Sequence, residues 1–274
     1  MLTLDILISV KDAHIVRIKD ALPEERSGVK YIICFQYSNE SFLQLIPPVL
    51  ESYSDVTLIK SPLKGLSLSR NMMLEKATSD LVYFMDDDTR FLPYTIDNMI
   101  KTFEQNPNID IAFFQAQTYT GKTLREYPTK KKEVVSFRER MNKLACETVY
   151  RRTSIQGVIW YNEDFGVGSS LFSCYEQQIF LNEAYRKHLK MIYFPLPIVL
   201  TSALYSPRML LVDKHVQRAF GALLGQVYGK KAVFYAFVYA SVFAKKSQRQ
   251  ILQLINTFVQ GIFIWQRKHA TKHR

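Results

Sequence analysis

Three adjacent aspartates, Asp86, Asp87 and Asp88, follow directly on the apolar run Leu81-Val-Tyr-Phe-Met85. Neighbouring carboxylates repel one another, so a buried strand that delivers three of them to one point is costly unless a cation or a donor cluster meets them there. Magnesium and manganese take such oxygen ligands. An ion held by one or two carboxylates usually completes its coordination with substrate phosphates. A nucleotide diphosphate is the guest this chemistry suits. An acidic cap on the following helix, favourable by about 0.3–1 kcal/mol, is the plainer alternative.

Such a turn has to be positioned. Residues 1–115 alternate short apolar, β-branched runs with helical stretches, the signature of βαβ units and a largely parallel sheet. The pattern predicts strands at 4–10, 29–35, 56–59, 81–85 and 109–114, and helices at 14–22, 40–52, 69–78 and 95–106, with Ser69 and Thr95 as N-caps. Sheets of this kind bind ligands beyond the carboxyl ends of their strands. That rule singles out Lys11 and Asp12, residues 36–38 and 61–65, and the aspartates. Further on, the pattern predicts helices at 137–150 and 176–188, a solvated loop at Lys130, Lys131 and Lys132, and a strand at 191–194 closed by Pro195 and Pro197. After Pro207 the chain reads as helix, with Val212, Val216, Ala219, Phe220, Leu223, Leu224 and Val227 on one stripe.

Haloacid-dehalogenase-type phosphatases also place Asp-x-Asp after a strand, but their pattern requires Thr or Val at position 90, where this chain has Arg90. The segment Gly65-Leu-Ser-Leu-Ser-Arg-Asn71, a helix, and then Asp80-Leu-Val-Tyr-Phe-Met-Asp-Asp-Asp-Thr89 resemble the nucleotide-sugar-binding half of family 2 glycosyltransferases of the GT-A fold. Gly65 permits a tight loop there, and Arg70 with Asn71 set a cation and an amide near a helix N-terminus, where a diphosphate or ribose is well received. The resemblance implies an α/β GT-A fold, a nucleotide diphosphate sugar as donor (a UDP-sugar in most relatives) and a divalent metal, Mn or Mg. It also implies donor contacts from Gln36, Gly65, Arg70, Asn71, Asp86 and Asp87, with the metal on Asp86 and Asp88. Many relatives carry acidic residues where this chain has Gln36-Tyr37-Ser38.

Tyr161-Asn-Glu-Asp-Phe-Gly-Val-Gly168 and Tyr175-Glu-Gln-Gln-Ile-Phe-Leu181 are similar to two elements of bacterial surface-polysaccharide glycosyltransferases, F-D-E-x-F-G-x-G and G-E-D/E-x-x-F-L. In that family the acidic pair supplies the base that deprotonates the acceptor. Here the second acid is Gln177 and the preceding glycine is Tyr175, so the resemblance gives the role to Glu176, with Asp164 or Glu163 behind it. It further implies inversion at the anomeric carbon and a lipid-linked or polysaccharide acceptor.

The chain has 274 residues and a net charge of +11. Residues 206–274 hold twelve Lys and Arg against Asp213 alone, so the excess is entirely C-terminal and residues 1–205 are balanced. A neutral body with a basic, aromatic tail points to an anionic membrane surface, and no helix-turn-helix, finger or RNP pattern supports a nucleic-acid partner. The apolar runs at 232–244 and 251–265 are shorter than the roughly twenty residues of a spanning helix. The tail is therefore expected to lie on the membrane, with Lys230, Lys231, Lys245, Lys246, Arg249, Arg267 and Lys268 around it. Gly221 and Gly225, at GxxxG spacing, suit close helix contact instead. Cys34, Cys146 and Cys174 read as reduced thiols, and the first apolar run is too short for a signal peptide. Together these features predict a GT-A catalytic domain at 1–205, split near 115 into donor and acceptor halves. A basic helical tail follows at 206–274, and the enzyme sits peripherally on the cytoplasmic face of the cell membrane. Two rivals are a nucleotidyltransferase, for which no glycine-rich loop is present near the first strand, and a membrane-recruited binder that has lost catalysis.

Overall fold

The computed structural model describes residues 1–274 except 21, 23–25, 203–208, 245–247 and 271–274. The predicted boundary at 205 and the lysines Lys245 and Lys246 lie outside the described residues, as does the side chain of Arg249. The chain forms two compact units, Met1–Tyr161 with Phe180–Ala203, and Asn162–Ile179 with Leu204–Arg274.

The first unit is built on strands β1 (Leu4–Lys11), β2 (Val29–Gln36), β3 (Val56–Ser61), β4 (Leu81–Asp86), β5 (Arg90–Phe91), β6 (Ile111–Thr118), β7 (Lys132–Glu133), β8 (Thr148–Arg151) and β9 (Met191–Thr201). Their order is β3-β2-β1-β4-β8-β6-β9-β5, with β7 on β9. The first four strands are parallel, as predicted, whereas β8 runs antiparallel between β4 and β6. Helices α1 (Val49–Ser52), α2 (Leu66–Lys76), α3 (Thr95–Gln105), α4 (Phe137–Met141) and α5 (Arg152–Ile155) connect them. Alternation along β1 sends Leu4, Ile6, Ile8 and Val10 to one hydrophobic core and Leu7 to the other. Both faces are covered, which is why these strands read as continuous apolar runs.

The amino end of this sheet is latched by two acids. Buried Asp5 accepts from the backbone N–H groups of Thr78 at 2.6 Å and Ser79 at 2.8 Å and from the Ser79 hydroxyl at 2.7 Å. Asp80 accepts from the Thr3 N–H at 2.8 Å and its hydroxyl at 2.9 Å. These bonds align β1 with β4, so that Ser9 stands opposite Asp86 at the carboxyl end.

Four local expectations are corrected. The helix predicted at 40–52 is broken at Pro47-Pro48 into a 3-10 turn, Glu40–Leu45, and α1, because proline supplies no donor and restricts its predecessor. The helix predicted at 137–150 is α4, a 3-10 turn and β8, since Thr148, Val149 and Tyr150 are claimed by two neighbouring strands. Pro195 and Pro197 do not close β9. The strand runs on to Thr201 through a register shift opposite Gln115, where a missing N–H is tolerated. Neither predicted N-cap holds: α2 begins at Leu66 behind Gly65, and α3 follows Tyr94 at φ 62°. The lysines at 130–132 are exposed, as expected.

The second unit contains α7 (Met209–Val212), α8 (Lys214–Tyr228), α9 (Ala232–Phe243) and α10 (Gln248–Ala270). Helix α6 (Glu176–Arg186) starts in this unit and continues into the first. The stripe of α8 is buried at Ala219, Phe220, Leu223 and Leu224, but Val212 precedes the helix and is exposed. Asp213 caps α8 through a 2.7 Å bond from the His215 N–H. Helices α8 and α10 cross in backbone contact: a Cβ at Gly221 would lie 2.0 Å from the Phe258 carbonyl oxygen, and one at Gly261 would lie 2.0 Å from that of Arg218. Among the described residues no helix is long and apolar enough to cross a membrane.

Candidate functional site

The carboxyl ends of β1, β2 and β4 converge on the loop before α2. Gly65 has φ 130° and ψ 126°, a backbone conformation that a Cβ opposes, so the glycine at this position is a steric requirement. Gln36, buried at the end of β2, donates its amide to the Gly65 carbonyl at 3.1 Å and holds this loop in place. Ser69 lies inside the first turn of α2, where its hydroxyl bonds the Leu66 carbonyl at 2.9 Å and meets the Ser9 hydroxyl at 2.7 Å. Asp12, at φ 48°, accepts from the Ser38 N–H at 2.7 Å and so ties the ends of β1 and β2. Slight desolvation opposes ionisation of Asp12, yet the Ser38 amide and Lys11 hold its carboxyl below the usual range.

Arg70 is almost fully buried, and its guanidinium lies 3.6 Å from the Asp86 carboxylate. The aromatic rings of Tyr161 and Phe84 stand 5.1 and 5.9 Å from it. Such rings stabilise a cation without neutralising it, so part of its field remains for an anion. Asn71 is used differently from Arg70: its amide donates to the Tyr161 carbonyl at 2.9 Å and accepts from the Tyr161 N–H at 2.8 Å. It acts on the backbone that carries the ring beside Arg70.

The three aspartates diverge. Asp86 faces Arg70, Asp87 lies 2.6 Å from Nδ1 of His14, and the Asp88 carboxylate accepts from the Ser202 hydroxyl. The turn itself is braced by the Thr89 N–H on the Asp86 carbonyl at 3.0 Å and by Arg90, which donates to the carbonyls of Asp87 at 3.2 Å and Thr89 at 2.8 Å. Tyr119 donates to the Asp88 carbonyl. Among the described residues no group of three His, Cys, Asp or Glu side chains forms a metal cage. The donor set is two partly exposed carboxylates, one with a hydroxyl as its partner, which suits a hard ion that takes its remaining ligands from phosphate and water.

In the second unit, Glu176 opens α6 and is partly exposed, while Gln177 is buried. Tyr175, where relatives carry glycine, keeps the glycine conformation at φ 74°. Its ring is buried edge-on against Phe220 at 5.7 Å between centroids. Asp164 is ion-paired with Lys268 of α10, and Phe165 packs on Trp265 at 5.5 Å. Asp164 thus anchors its loop to α10.

His14, Ser202 and Tyr161 join the site without having been singled out for it. His14 stands just after the β1 end that the topology rule marks, whereas Ser202 follows a strand whose length the two prolines conceal. Another unforeseen feature is fully buried Glu147, which accepts from Arg125 and Tyr127. Burial raises its carboxyl above the usual range, against the pull of Arg125. Nearby Lys143 is pushed down to about 8 by burial, under the rings of Tyr193 at 4.6 Å and Phe113 at 5.1 Å.

Comparison with known proteins identifies the family and the fold. The family described as "Glycosyl transferase family 2" matches residues 15–159, which spans α2, β4 and the aspartate turn. An uncharacterized glycosyltransferase of Haemophilus influenzae is 35% identical over 71 residues, a stretch covering 25% of this chain and 24% of that protein. S. aureus TarS 1-349 superposes with a TM-score of 0.61 at 14% identity, covering 95% of this chain and 81% of that one. Mannosyltransferase PcManGT from Pyrobaculum calidifontis, solved with GDP-Man and Mn2+, gives a TM-score of 0.56 at 12% identity over 93% of this chain and 68% of its own. At such identities the structural likeness speaks for the GT-A fold, and the family match, covering more than half of the residues, establishes that the chain belongs to glycosyl transferase family 2.

Proposed function

We propose that this chain transfers a hexose or N-acetylhexosamine from a nucleoside diphosphate donor, UDP-linked foremost, to a lipid-linked or polysaccharide acceptor at the cytoplasmic face of a membrane. The observation that carries this reading is the buried Arg70 guanidinium 3.6 Å from Asp86, at the carboxyl end of β4 in a family 2 chain. A cation so placed attracts the donor diphosphate, and α2, which starts behind Gly65 and carries Arg70, has an N-terminus of the kind that receives an anion. Asp86 and Asp88 would hold a Mg or Mn ion, which when bound offsets charge developing on the departing diphosphate. Glu176 accepts the proton of the acceptor hydroxyl as its oxygen bonds to the anomeric carbon and the bond to the diphosphate breaks, with inversion. TarS has been solved with UDP-GlcNAc and PcManGT with GDP-Man, and these two donors frame the search.

The test is a panel of nucleotide sugars, UDP-GlcNAc, UDP-glucose and GDP-mannose among them, assayed with Mn2+ for a rise in melting temperature and for release of the nucleoside diphosphate. A ligand at a hundred times its dissociation constant raises stability by about 2.7 kcal/mol. A shift with slow turnover supports a transferase awaiting its acceptor. If no donor shifts or is turned over, the proposal fails.

A further inference from the structure

Helix α9 is built inside out for a helix in water. Its twelve residues, AVFYAFVYASVF, contain no charge. The buried positions are alanines, Ala232, Ala236 and Ala240, each one turn from the next, while four large apolar residues face outward and Phe243 packs on Phe220. Phe234 is 66% exposed, Phe237 50%, Val238 41% and Val242 65%. Their spacing of three and four residues sets all four on one face. Ser241, the polar residue on that face, donates its hydroxyl to the Phe237 carbonyl at 2.9 Å, so it asks nothing of solvent.

Small residues turned inward and large apolar residues turned outward form the pattern of a helix whose outer solvent is lipid. Twelve residues rise only about 18 Å, short of the roughly 30 Å hydrocarbon core, so α9 can lie in a bilayer surface but cannot cross it. Exposed Lys230 and Lys231 immediately precede it, in a segment with twelve basic residues and one acid. That charge opposes pairing with a second copy of the same face and favours an anionic headgroup layer. We infer that the face Phe234, Phe237, Val238 and Val242 inserts into the headgroup and acyl boundary of an anionic bilayer, with Lys230 and Lys231 on the lipid phosphates.

This deepens the membrane-side reading given above and rests on it only for its purpose. The test needs no donor sugar. Full-length protein is floated with vesicles of phosphatidylcholine and phosphatidylglycerol. Phe234→Ser with Phe237→Ser and Val242→Ser should lower vesicle partitioning by about tenfold or more, since removing apolar groups that leave water weakens insertion at that scale. Lys230→Ala with Lys231→Ala should weaken binding to anionic vesicles several-fold and leave neutral ones unaffected. Phe237→Trp, which keeps the face apolar, should retain binding and gain fluorescence quenching by brominated lipid, a readout that stands even if the serine variant misfolds. Wild-type protein that does not float, an unquenched Trp at 237, or a dimer dissolved by the serine changes without any vesicle binding would each overturn the inference. Flotation with no sugar turnover would instead count against the transferase reading alone.

Discussion

The side-chain amide of Asn71 and the backbone of Tyr161 form a reciprocal pair, 2.9 Å one way and 2.8 Å the other, ninety residues apart in sequence. Through it the helix that carries Arg70 also fixes the ring 5.1 Å from Arg70. Asn71→Ala leaves a part-buried donor and acceptor without their partners. A loss of about 1–3 kcal/mol is expected, read as a lower urea midpoint, together with weaker donor binding. An unchanged midpoint would show that the pair is incidental.

The Asp88 carboxylate is partly exposed in a turn and accepts from the Ser202 hydroxyl. Asp88→Ala should therefore keep the wild-type melting temperature while transfer falls by about 10²-fold or more, and EDTA should do the same to the wild type until Mn2+ is restored. Normal turnover in the variant, or indifference to the chelator, removes the metal from the mechanism.

For Glu176 the informative change is Glu176→Gln. General base catalysis contributes about 10²–10⁴ in rate, so kcat should drop by that order with donor affinity nearly constant. A loss under about tenfold would pass the role to Asp164 or Glu163.

Tyr175 sets strain against packing. Replacing it with glycine relieves about 1 kcal/mol of left-handed strain at φ 74° but deletes a buried ring whose loss costs about 3–5 kcal/mol. Tyr175→Gly should destabilise the protein by about 2 kcal/mol or more, measured by denaturant unfolding. A gain in stability would mean that the contact with Phe220 contributes little.

Glu139 supplies a pH dependence. Partial burial opposes ionisation, but Lys132 and the Ser136 cap of α4 overcome it and bring the carboxyl down to about 2. The folded state therefore holds the carboxylate while the unfolded chain, near 4.5, takes up a proton. Stability from this group is present above about pH 4.5 and is lost as pH falls toward 2. Glu139→Gln should flatten that part of the acid unfolding curve, and identical curves would refute the assignment.

Much of the fold is legible because both faces of the parallel strands are covered: Leu4 to Val10 is apolar but for Asp5 and Ser9, Leu81 to Met85 is an unbroken run without charge, and an aspartate run after such a strand has one topological place to go. Gly65 and Arg70 were readable for the same reason, each being a residue type its backbone or charge environment requires. What escaped was decided by distant partners. Thr148 to Tyr150 looks helical in isolation and becomes a strand because β4 and β6 flank it. Asn71 reads as a ligand group, yet the backbone that engages its amide lies ninety residues away. Tyr175 holds a left-handed backbone angle with its ring packed on Phe220, a contact that no local pattern reveals.

The backbone crossing of α8 and α10 at Gly221 and Gly261 also has a mechanical meaning. At Gly221 and Gly261 the two backbones meet directly, while Phe220 on Phe258 and Thr257 on Gln217 pack alongside, so the spacing of the helices is fixed at that point. The far end of α10 bears Trp265 and Lys268, which grip Phe165 and Asp164 in the loop that runs toward Glu176. A methyl group added at either glycine would have to part the two backbones, and through Trp265 and Lys268 the displaced α10 would carry that change to the loop.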